Sequence, residues 1–172
     1  MDTIEQNLIP IFPPTITIHH IRHGQGGEAT RRLLGIKPRV VGLSIHFSAS
    51  ADAVESIALA TSKEVYLLKL KIGDSMAPSS TLDLLSFSDE FTLVAFDMAQ
   101  VALDIHRSTQ GHVRGVDLST LFSPTKKPWQ PSKFVTRKLS YDARKFDIDQ
   151  LWEGGPECSF REVCLRAWLS AR

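Results

Sequence analysis

The segment at residues 38–70, PRVVGLSIHFSASADAVESIALATSKEVYLLKL, decides the fold of this chain. It contains three short runs rich in β-branched and aliphatic residues, at residues 40–47 (VVGLSIHF), 56–61 (SIALAT) and 64–70 (EVYLLKL). Runs of this composition and length predict β-strands. Because the links between the runs are short, they favour hairpin connections. The segment therefore predicts a three-stranded antiparallel meander.

Upstream of the meander, the chain begins without a regular pattern. Residues 1–14 contain three prolines and no periodicity, so we expect an N-terminal arm at residues 1–15 ahead of a single domain at 16–172. Ile16, Ile18 and Ile21 stand among polar residues and predict a first strand. A short helix is predicted at residues 28–34.

Downstream of the meander, the pattern alternates between helix and strand. Apolar residues recur at near-helical spacing in 79–87 and again from Met98 to Thr109, while 91–96 (FTLVAF) is typical of a strand buried on both faces. Residues 113–122 predict another strand, and 159–170 predict a final helix. This order predicts an α/β domain of the α+β type with a mixed sheet. It is the layout of the RNase H-like fold, although periodicity alone also allows other α+β folds.

The composition is that of an ordinary globular domain. The chain has 172 residues, of which 42% are hydrophobic and 23% charged, with a net charge of +1. No apolar run approaches the roughly 20 residues of a membrane helix, and the N-terminus carries an acid where a signal peptide carries basic residues. We therefore expect an intracellular protein without membrane contact. Cys158 and Cys164, predicted on different sides of the final helix, are expected to be free thiols.

The order of these segments resembles that of the DEDD-type 3′–5′ exonucleases. The three strands of the meander are similar to family strands that read VVGLDTEW, IQLAT and VYLIDL. The run EVCLRAW at residues 162–168 is similar to the final-helix signature YAALDAW. Between them, LVAF at 93–96 with its following helix, and VRGVDLSTL at 113–121, fit the family's central strand, helix and strand. Residues 123–157 are shorter than the corresponding family segment, and its helical insert is not recognisable.

The resemblance implies a site that has lost its metal ligands. In that family four carboxylates hold two divalent metal ions, which activate a water and stabilise the leaving oxygen. The positions of the first-strand pair hold Ser44 and His46 in this chain, and the second-motif aspartate corresponds to Val101. The tyrosine and aspartate of the last helix correspond to Glu162 and Arg166. The resemblance thus implies no catalytic residues, no bound metal or other cofactor, and no cleavage by the family mechanism.

Residues 123–145 form the one basic segment of the sequence. Asp142 is its only acid, and its three prolines exclude a continuous helix. Trp129, Phe134 and Tyr141 are interspersed among the basic residues, a pattern suited to a nucleic-acid strand, although a solvated loop fits equally well. The predicted nucleic-acid-binding residues are Lys126, Lys127, Trp129, Lys133, Arg137, Lys138, Arg144 and Lys145.

Three other clusters carry weaker signals. The HHxxH cluster at residues 19–23 has metal-binding side chains, but without an acid or cysteine in the segment a surface strand is favoured. Ser44 and His46 lack a third orienting group nearby, so a nucleophilic pair is disfavoured. Residues 24–27 (GQGG) lack the Lys-Ser/Thr of a phosphate-binding loop and predict a turn.

We therefore hypothesise a catalytically inactive exonuclease-like domain that binds RNA or another single-stranded nucleic acid, or serves as a scaffolding subunit. A protein partner or homodimerisation is expected in either role. One alternative is a protein-interaction module without nucleic-acid binding, whose exposed apolar patch would use Phe12, Trp129 or Trp152.

The other alternative is a divergent metal-dependent nuclease. Its carboxylates would come from Asp97, Asp104 and Asp117, the acids nearest the central motifs. Asp104 is expected to face nearly the opposite side of its helix from the neighbours of Val101.

Overall fold

The computed structural model describes residues 2–22, 26–36, 40–48, 53–70, 91–121, 130–153 and 158–172. Within these residues seven strands form one mixed sheet, accompanied by six helices. The strands are β1 (Asp2–Glu5), β2 (Thr15–Ile21), β3 (Val40–Phe47), β4 (Val54–Ala60), β5 (Glu64–Lys69), β6 (Thr92–Ala95) and β7 (Val116–Asp117). The helices are α1 (Gly26–Ile36), α2 (Met98–Thr109), α3 (Leu118–Leu121), α4 (Pro131–Lys138), α5 (Lys145–Glu153) and α6 (Phe160–Ser170).

The strand order in the sheet is β1-β2-β5-β4-β3-β6-β7. Strands β3, β4 and β5 are antiparallel neighbours, which confirms the predicted meander. Strands β2 and β5, β3 and β6, and β6 and β7 pair in parallel, which confirms the mixed sheet. None of the described helices is long and apolar enough to cross a membrane.

The sheet separates two apolar cores. Helix α6 covers one face, where Trp168 and Leu169 are fully buried, and side chains of α1 and α2 such as Leu33 and Ile105 fill the other core. Gly42 allows α6 to lie directly against β3. A Cβ added to Gly42 would lie 2.8 Å from the backbone nitrogen of Ala171, and closer still to the carbonyl oxygen of Ala167.

The segment expected to form an N-terminal arm is instead part of the sheet and core. Residues 2–5 form the edge strand β1, which pairs antiparallel with β2, and Leu8 and Ile9 are buried. The buried side chain of Gln6 explains why this irregular segment can pack inside. Its Nε2 donates to the carbonyl oxygens of Ile9 and Pro13, at 3.2 and 2.8 Å, so the turn's polar backbone atoms keep partners.

The predicted strand at residues 113–122 is much shorter in the structure. Only Val116 and Asp117 pair with β6, and helix α3 begins at Leu118. The side chain of Asp117 provides the reason, because its Oδ1 accepts hydrogen bonds from the backbone nitrogen and hydroxyl of Ser119, at 2.8 and 2.6 Å. This local capping competes with strand pairing and starts the helical turn.

Two further expectations change near the C-terminus. Residues 123–157, where the sequence shows no recognisable helical insert, contain the helices α4 and α5. Pro131 is the first residue of α4, a position where the helix needs no backbone N–H donor. Cys158 precedes α6 instead of lying within it, because Ser159 and Glu162 form a reciprocal cap that starts the helix at Phe160. Both cysteines are free, as predicted. The helix predicted at residues 79–87 lies outside the described residues.

Candidate functional site

A cleft opens where β3 continues beyond the end of β6. Strand β3 pairs with β6 only from Val40 to Gly42 and extends to Phe47, while the chain turns away from the sheet after Ala95. The cleft has a volume of about 270 Å³ and is lined by residues of β3, α2, α5 and α6. The carboxyl end of a parallel strand is a common position for ligand sites in such sheets.

Three of the positions that correspond to family metal ligands converge on this cleft. Ser44 reaches it from β3, Val101 from α2 and Arg166 from α6. These residues are far apart in the sequence, so their convergence agrees with the correspondence drawn from the motifs. None of the three side chains is an acid.

The fourth such position, His46, and the tyrosine position, Glu162, lie near the start of α6. The ring of His46 packs on that of Phe160, with 4.7 Å between centroids. Its buried Nδ1 has no hydrogen-bond partner among the described residues, although Glu55 Oε2 lies 3.5 Å away. The carboxylate of Glu162 caps α6 by accepting a hydrogen bond from the backbone nitrogen of Ser159. The carboxylate of Glu162, at the tyrosine position, therefore serves as a helix cap.

Arg166 brings a positive charge into the cleft. Its Nε donates to the carbonyl oxygen of Leu151, which ties α6 to α5. Cys158 lies on the same cleft wall. Burial raises the pKa of the Cys158 thiol, and the nearby Arg166 guanidinium offsets only part of that rise. Cys158 is therefore a neutral thiol at physiological pH.

Two acids that the correspondence did not include also line the cleft. Asp97 precedes α2 with a left-handed backbone, φ 58°, and Asp104 lies on the same side of α2 as Val101. The expected orientation of Asp104 was wrong, because residues three apart on a helix are neighbours. Gln100 Nε2 donates to both Asp104 carboxylate oxygens, at 2.9 and 3.0 Å. Within the described residues, no three His, Cys, Asp or Glu side chains are grouped to hold a metal ion.

Aromatic side chains connect the cleft to α4 and α5. The ring of Phe96 packs edge-on against Trp152, at 5.1 Å between centroids, and against Phe134, at 5.4 Å. Trp152 is therefore half-buried against the core. Phe12 is also half-buried, and its ring packs against Trp168 and under the guanidinium of Arg172. Trp129 lies outside the described residues.

The described part of the predicted nucleic-acid-binding segment presents its charges to solvent. Lys133, Arg137 and Lys138 are exposed on α4, whose opposite side buries Phe134 in the core. The other two described members of the set, at the start of α5, are Arg144 and Lys145, and both are exposed. Lys126, Lys127 and Trp129 lie outside the described residues.

Two aromatic side chains stand among these charges. Tyr141 is 82% exposed in the turn between α4 and α5, and Phe146 is 72% exposed at the start of α5. Tyr141 is one of the aromatic residues that the sequence pattern indicated, Phe146 is not, and Phe134, which the pattern also indicated, is buried in the core. The signal that was available for Phe146 is its position directly after Arg144 and Lys145.

The histidine cluster forms part of β2, as expected for a strand. His19 Nε2 is 2.8 Å from Glu64 Oε2 on β5, and its ring stacks on Tyr66. His20 Nε2 is 2.8 Å from Asp2 Oδ2 on β1. Adjacent strands therefore supply each ring with an acidic partner that the local sequence lacks. His23 lies outside the described residues, and Gly26 and Gly27 of the predicted turn begin α1.

Solved structures of 3′–5′ exonucleases have the same fold as this chain. RNase D of Trypanosoma brucei in complex with GMP matches with a TM-score of 0.67 and 11% identity, covering 90% of this chain and 55% of that one. Escherichia coli RNase D matches with a TM-score of 0.61 and 12% identity, covering 90% of this chain and 42% of that one. The EXD2 exonuclease domain soaked in Mg matches with a TM-score of 0.50 and 16% identity, covering 70% of this chain and 68% of that domain.

These matches confirm the exonuclease-like RNase H fold predicted from the sequence. The match to this chain spans only about half the length of the two RNase D structures, 55% of one and 42% of the other. A scan with protein-family models finds no match, and a sequence search among curated proteins finds none either.

Proposed function

We propose that this chain is an exonuclease-like domain that does not cleave by the two-metal mechanism and instead binds single-stranded nucleic acid, RNA foremost, as a binding or scaffolding subunit. The observation that carries the proposal is the makeup of the cleft. Ser44, Val101 and Arg166 line it from three elements, where the family resemblance requires carboxylates. Serine and valine offer no strong ligand to a hard cation, and arginine repels one.

The two acids of the cleft do not replace the missing set. Both oxygens of Asp104 already accept hydrogen bonds from Gln100, and Asp97 is the one further carboxylate in the described lining. In the exonuclease family four carboxylates hold two metal ions about 3.5–4 Å apart. The described lining of this cleft offers two carboxylates, and one of them is already hydrogen-bonded to Gln100. The described lining holds these two acids and one cation, so it is only beside Arg166 that the cleft would favour a phosphodiester.

The binding role is supported by the charge of α4 and of the turn that leads into α5. Residues 130–146 contain five basic side chains and one acid, Asp142. Phe134 of α4 packs against Phe96, which lines the cleft, so this basic region adjoins the cleft wall. The E. coli RNase D of the same fold is described as an exoribonuclease involved in structured RNA processing. A strand bound by this chain would use lysine and arginine for its phosphates.

A divergent nuclease is the second candidate, because Asp97 and Asp104 both line the cleft. It predicts metal-dependent shortening of RNA from one end, which Asp97→Asn abolishes. The inactive binder predicts binding that is unchanged by metal removal.

The test is fluorescence anisotropy with 3′-labelled and 5′-labelled single-stranded RNA, with Mg²⁺, Mn²⁺ or EDTA, followed by gels of the same samples. We expect salt-sensitive binding in EDTA and full-length RNA after long incubation with metal. Product ladders that disappear in Asp97→Asn would overturn the inactive binder. No binding at low salt would overturn the nucleic-acid role and favour a protein-interaction module. Glu5→Gln, which neutralises an exposed acid on the edge strand β1, away from the cleft lining and from the basic region, is the matched control.

A further inference from the structure

We infer that the turn between α4 and α5 is a stacking platform, on which Tyr141 and Phe146 hold the bases of a single strand. This inference rests on the proposed function and deepens it, because it names the surface and the class of nucleic acid. Stacking requires bases whose faces are open, so the platform selects single strands over duplexes.

The exposure of the two rings is the first observation. Tyr141 is 82% and Phe146 72% exposed, and they are the two most exposed large hydrophobic side chains of the described residues. Other aromatic residues nearby, Phe134 and Trp152, pack against Phe96. The two exposed rings contribute little to the core, so folding stability does not account for aromatic residues at these positions.

The backbone that carries the rings is anchored on both sides of Tyr141. The nitrogens of Leu139 and Ser140 donate to the carbonyl oxygen of Val135, at 2.8 and 3.1 Å. After the turn, Ala143 is buried, and the nitrogen of Arg144 donates to the carbonyl oxygen of Leu8 at 2.9 Å. An anchored backbone presents the rings at a small entropic cost on binding.

The charges beside the rings are the second, independent observation. Arg144 and Lys145 stand at the N-terminal end of α5, where the helix dipole disfavours cations. Asp147 relieves this only in part, with its Oδ2 3.6 Å from Arg144 Nη1. An anionic ligand at the same helix end would be stabilised by the dipole and by both cations. Phosphates between stacked bases meet this requirement.

Aromatic planes interspersed with cations match single-stranded nucleic acid better than the other anionic partners. An acidic peptide offers charge without a succession of planar faces, and a duplex offers phosphates with its bases already stacked. We therefore assign the surface to a single strand of RNA or DNA with little base preference, since every base has a face to stack.

The experiment separates stacking from charge. Anisotropy titrations over a range of salt concentrations would use labelled single-stranded RNA, single-stranded DNA and a duplex of the same sequence. The variants are Tyr141→Leu, Phe146→Leu and their combination, compared with Lys133→Gln and Lys145→Gln. Ile36→Ala, which truncates an exposed apolar residue on α1, is the matched control. Thermal melts check that all variants remain folded.

We expect each aromatic substitution to weaken single-strand binding by about 5- to 100-fold without changing its salt dependence. Each lysine substitution should reduce the slope of log affinity against log salt by about 0.7 for a single strand. The duplex should bind more weakly than the single strand and respond to the lysine variants alone. Ile36→Ala should bind like the unmodified chain.

The outcomes distinguish this inference from the proposed function. Single-strand binding that survives the double aromatic substitution would overturn the platform and leave the nucleic-acid role standing. Equal affinity for duplex and single strand would also overturn it. Absence of binding to all three probes would refute the proposed function itself. Competition by polyglutamate as effective as that by unlabelled RNA would assign the surface to an acidic protein partner and overturn the platform.

Discussion

Replacing Gly42 by alanine tests how closely α6 must pack on the sheet. The added Cβ would lie 2.8 Å from the nitrogen of Ala171, 2.9 Å from the carbonyl carbon of Ala167 and nearer still to its oxygen. All of these are backbone atoms, so no side chain can rotate away. Since carbon atoms pack at about 3.5–4.0 Å, the helix must move away from β3 by about 1 Å or more.

The cost of this movement is spread over the whole contact between α6 and the sheet. Seven residues of α6 are buried, including Trp168 and Leu169. A gap of 0.5–1 Å forfeits about a quarter to a half of each dispersion contact. We therefore expect Gly42→Ala to lower the free energy of unfolding by roughly 3 kcal/mol or more, at the upper end of overpacking effects. The melting temperature should then fall by about 6–12 °C for a chain of this size.

Gly35→Ala is the matched control, because the same atom is added where it meets no neighbour. A Cβ at Gly35, in the last turn of α1, has nothing within 4 Å. Alanine favours the helix over glycine, so a gain of up to about 1 kcal/mol is expected. Urea unfolding followed by circular dichroism measures both variants. Equal stability of Gly42→Ala and the unmodified chain would refute the close packing of α6 on β3.

Three further perturbations test separate parts of the structure. Ser56 has no exposed surface and its Oγ lacks a hydrogen-bond partner among the described residues, so Ser56→Ala should raise the free energy of unfolding by about 1 kcal/mol, measured by urea unfolding. A clear loss of stability would mean that the hydroxyl binds a partner such as water. Ser159→Ala removes the cap of α6 and should cost about 1 kcal/mol, with an unchanged m-value, and no effect would argue against the cap. Burial raises the pKa of Cys164 to about 12, so thiol reagents at pH 8 should label it only after unfolding. Because an unfolded cysteine ionises near about pH 8.5, its contribution to stability is complete below that pH and is lost as pH rises toward 12, which urea midpoints at pH 7–10 would reveal.

The strands and the last helix could be predicted because their signals are local. The predicted β3 has the observed bounds, since its apolar run ends where the hairpin to β4 begins. Ser159 and Glu162, three residues apart, are the local signal for the cap of α6, although Cys158, expected within the helix, lies directly before that cap. By contrast, the N-terminal segment carries no periodic signal. Its burial depends on Gln6, whose hydrogen bonds satisfy a turn that composition alone describes as an arm.

In the candidate site, too, some features could be predicted from local sequence and others depended on tertiary contacts. Motif order was enough to select Ser44, Val101 and Arg166, and all three line one cleft. Phe146 was missed because its exposure depends on which side of α5 faces the core. Phe134 was misassigned for the corresponding reason, since α4 turns it toward Phe96.

The sequence by itself determined the order and type of most elements, the residue types at the positions that resemble the family motifs, and the basic character of residues 123–145. These properties depend on residue type, spacing and charge within short stretches of chain. Only the tertiary structure decided that Asp97 and Asp104 share a cleft with Arg166, and that Tyr141 and Phe146 face solvent. Such groupings depend on how helices rotate and dock on the sheet, and this is set by contacts between residues distant in the chain.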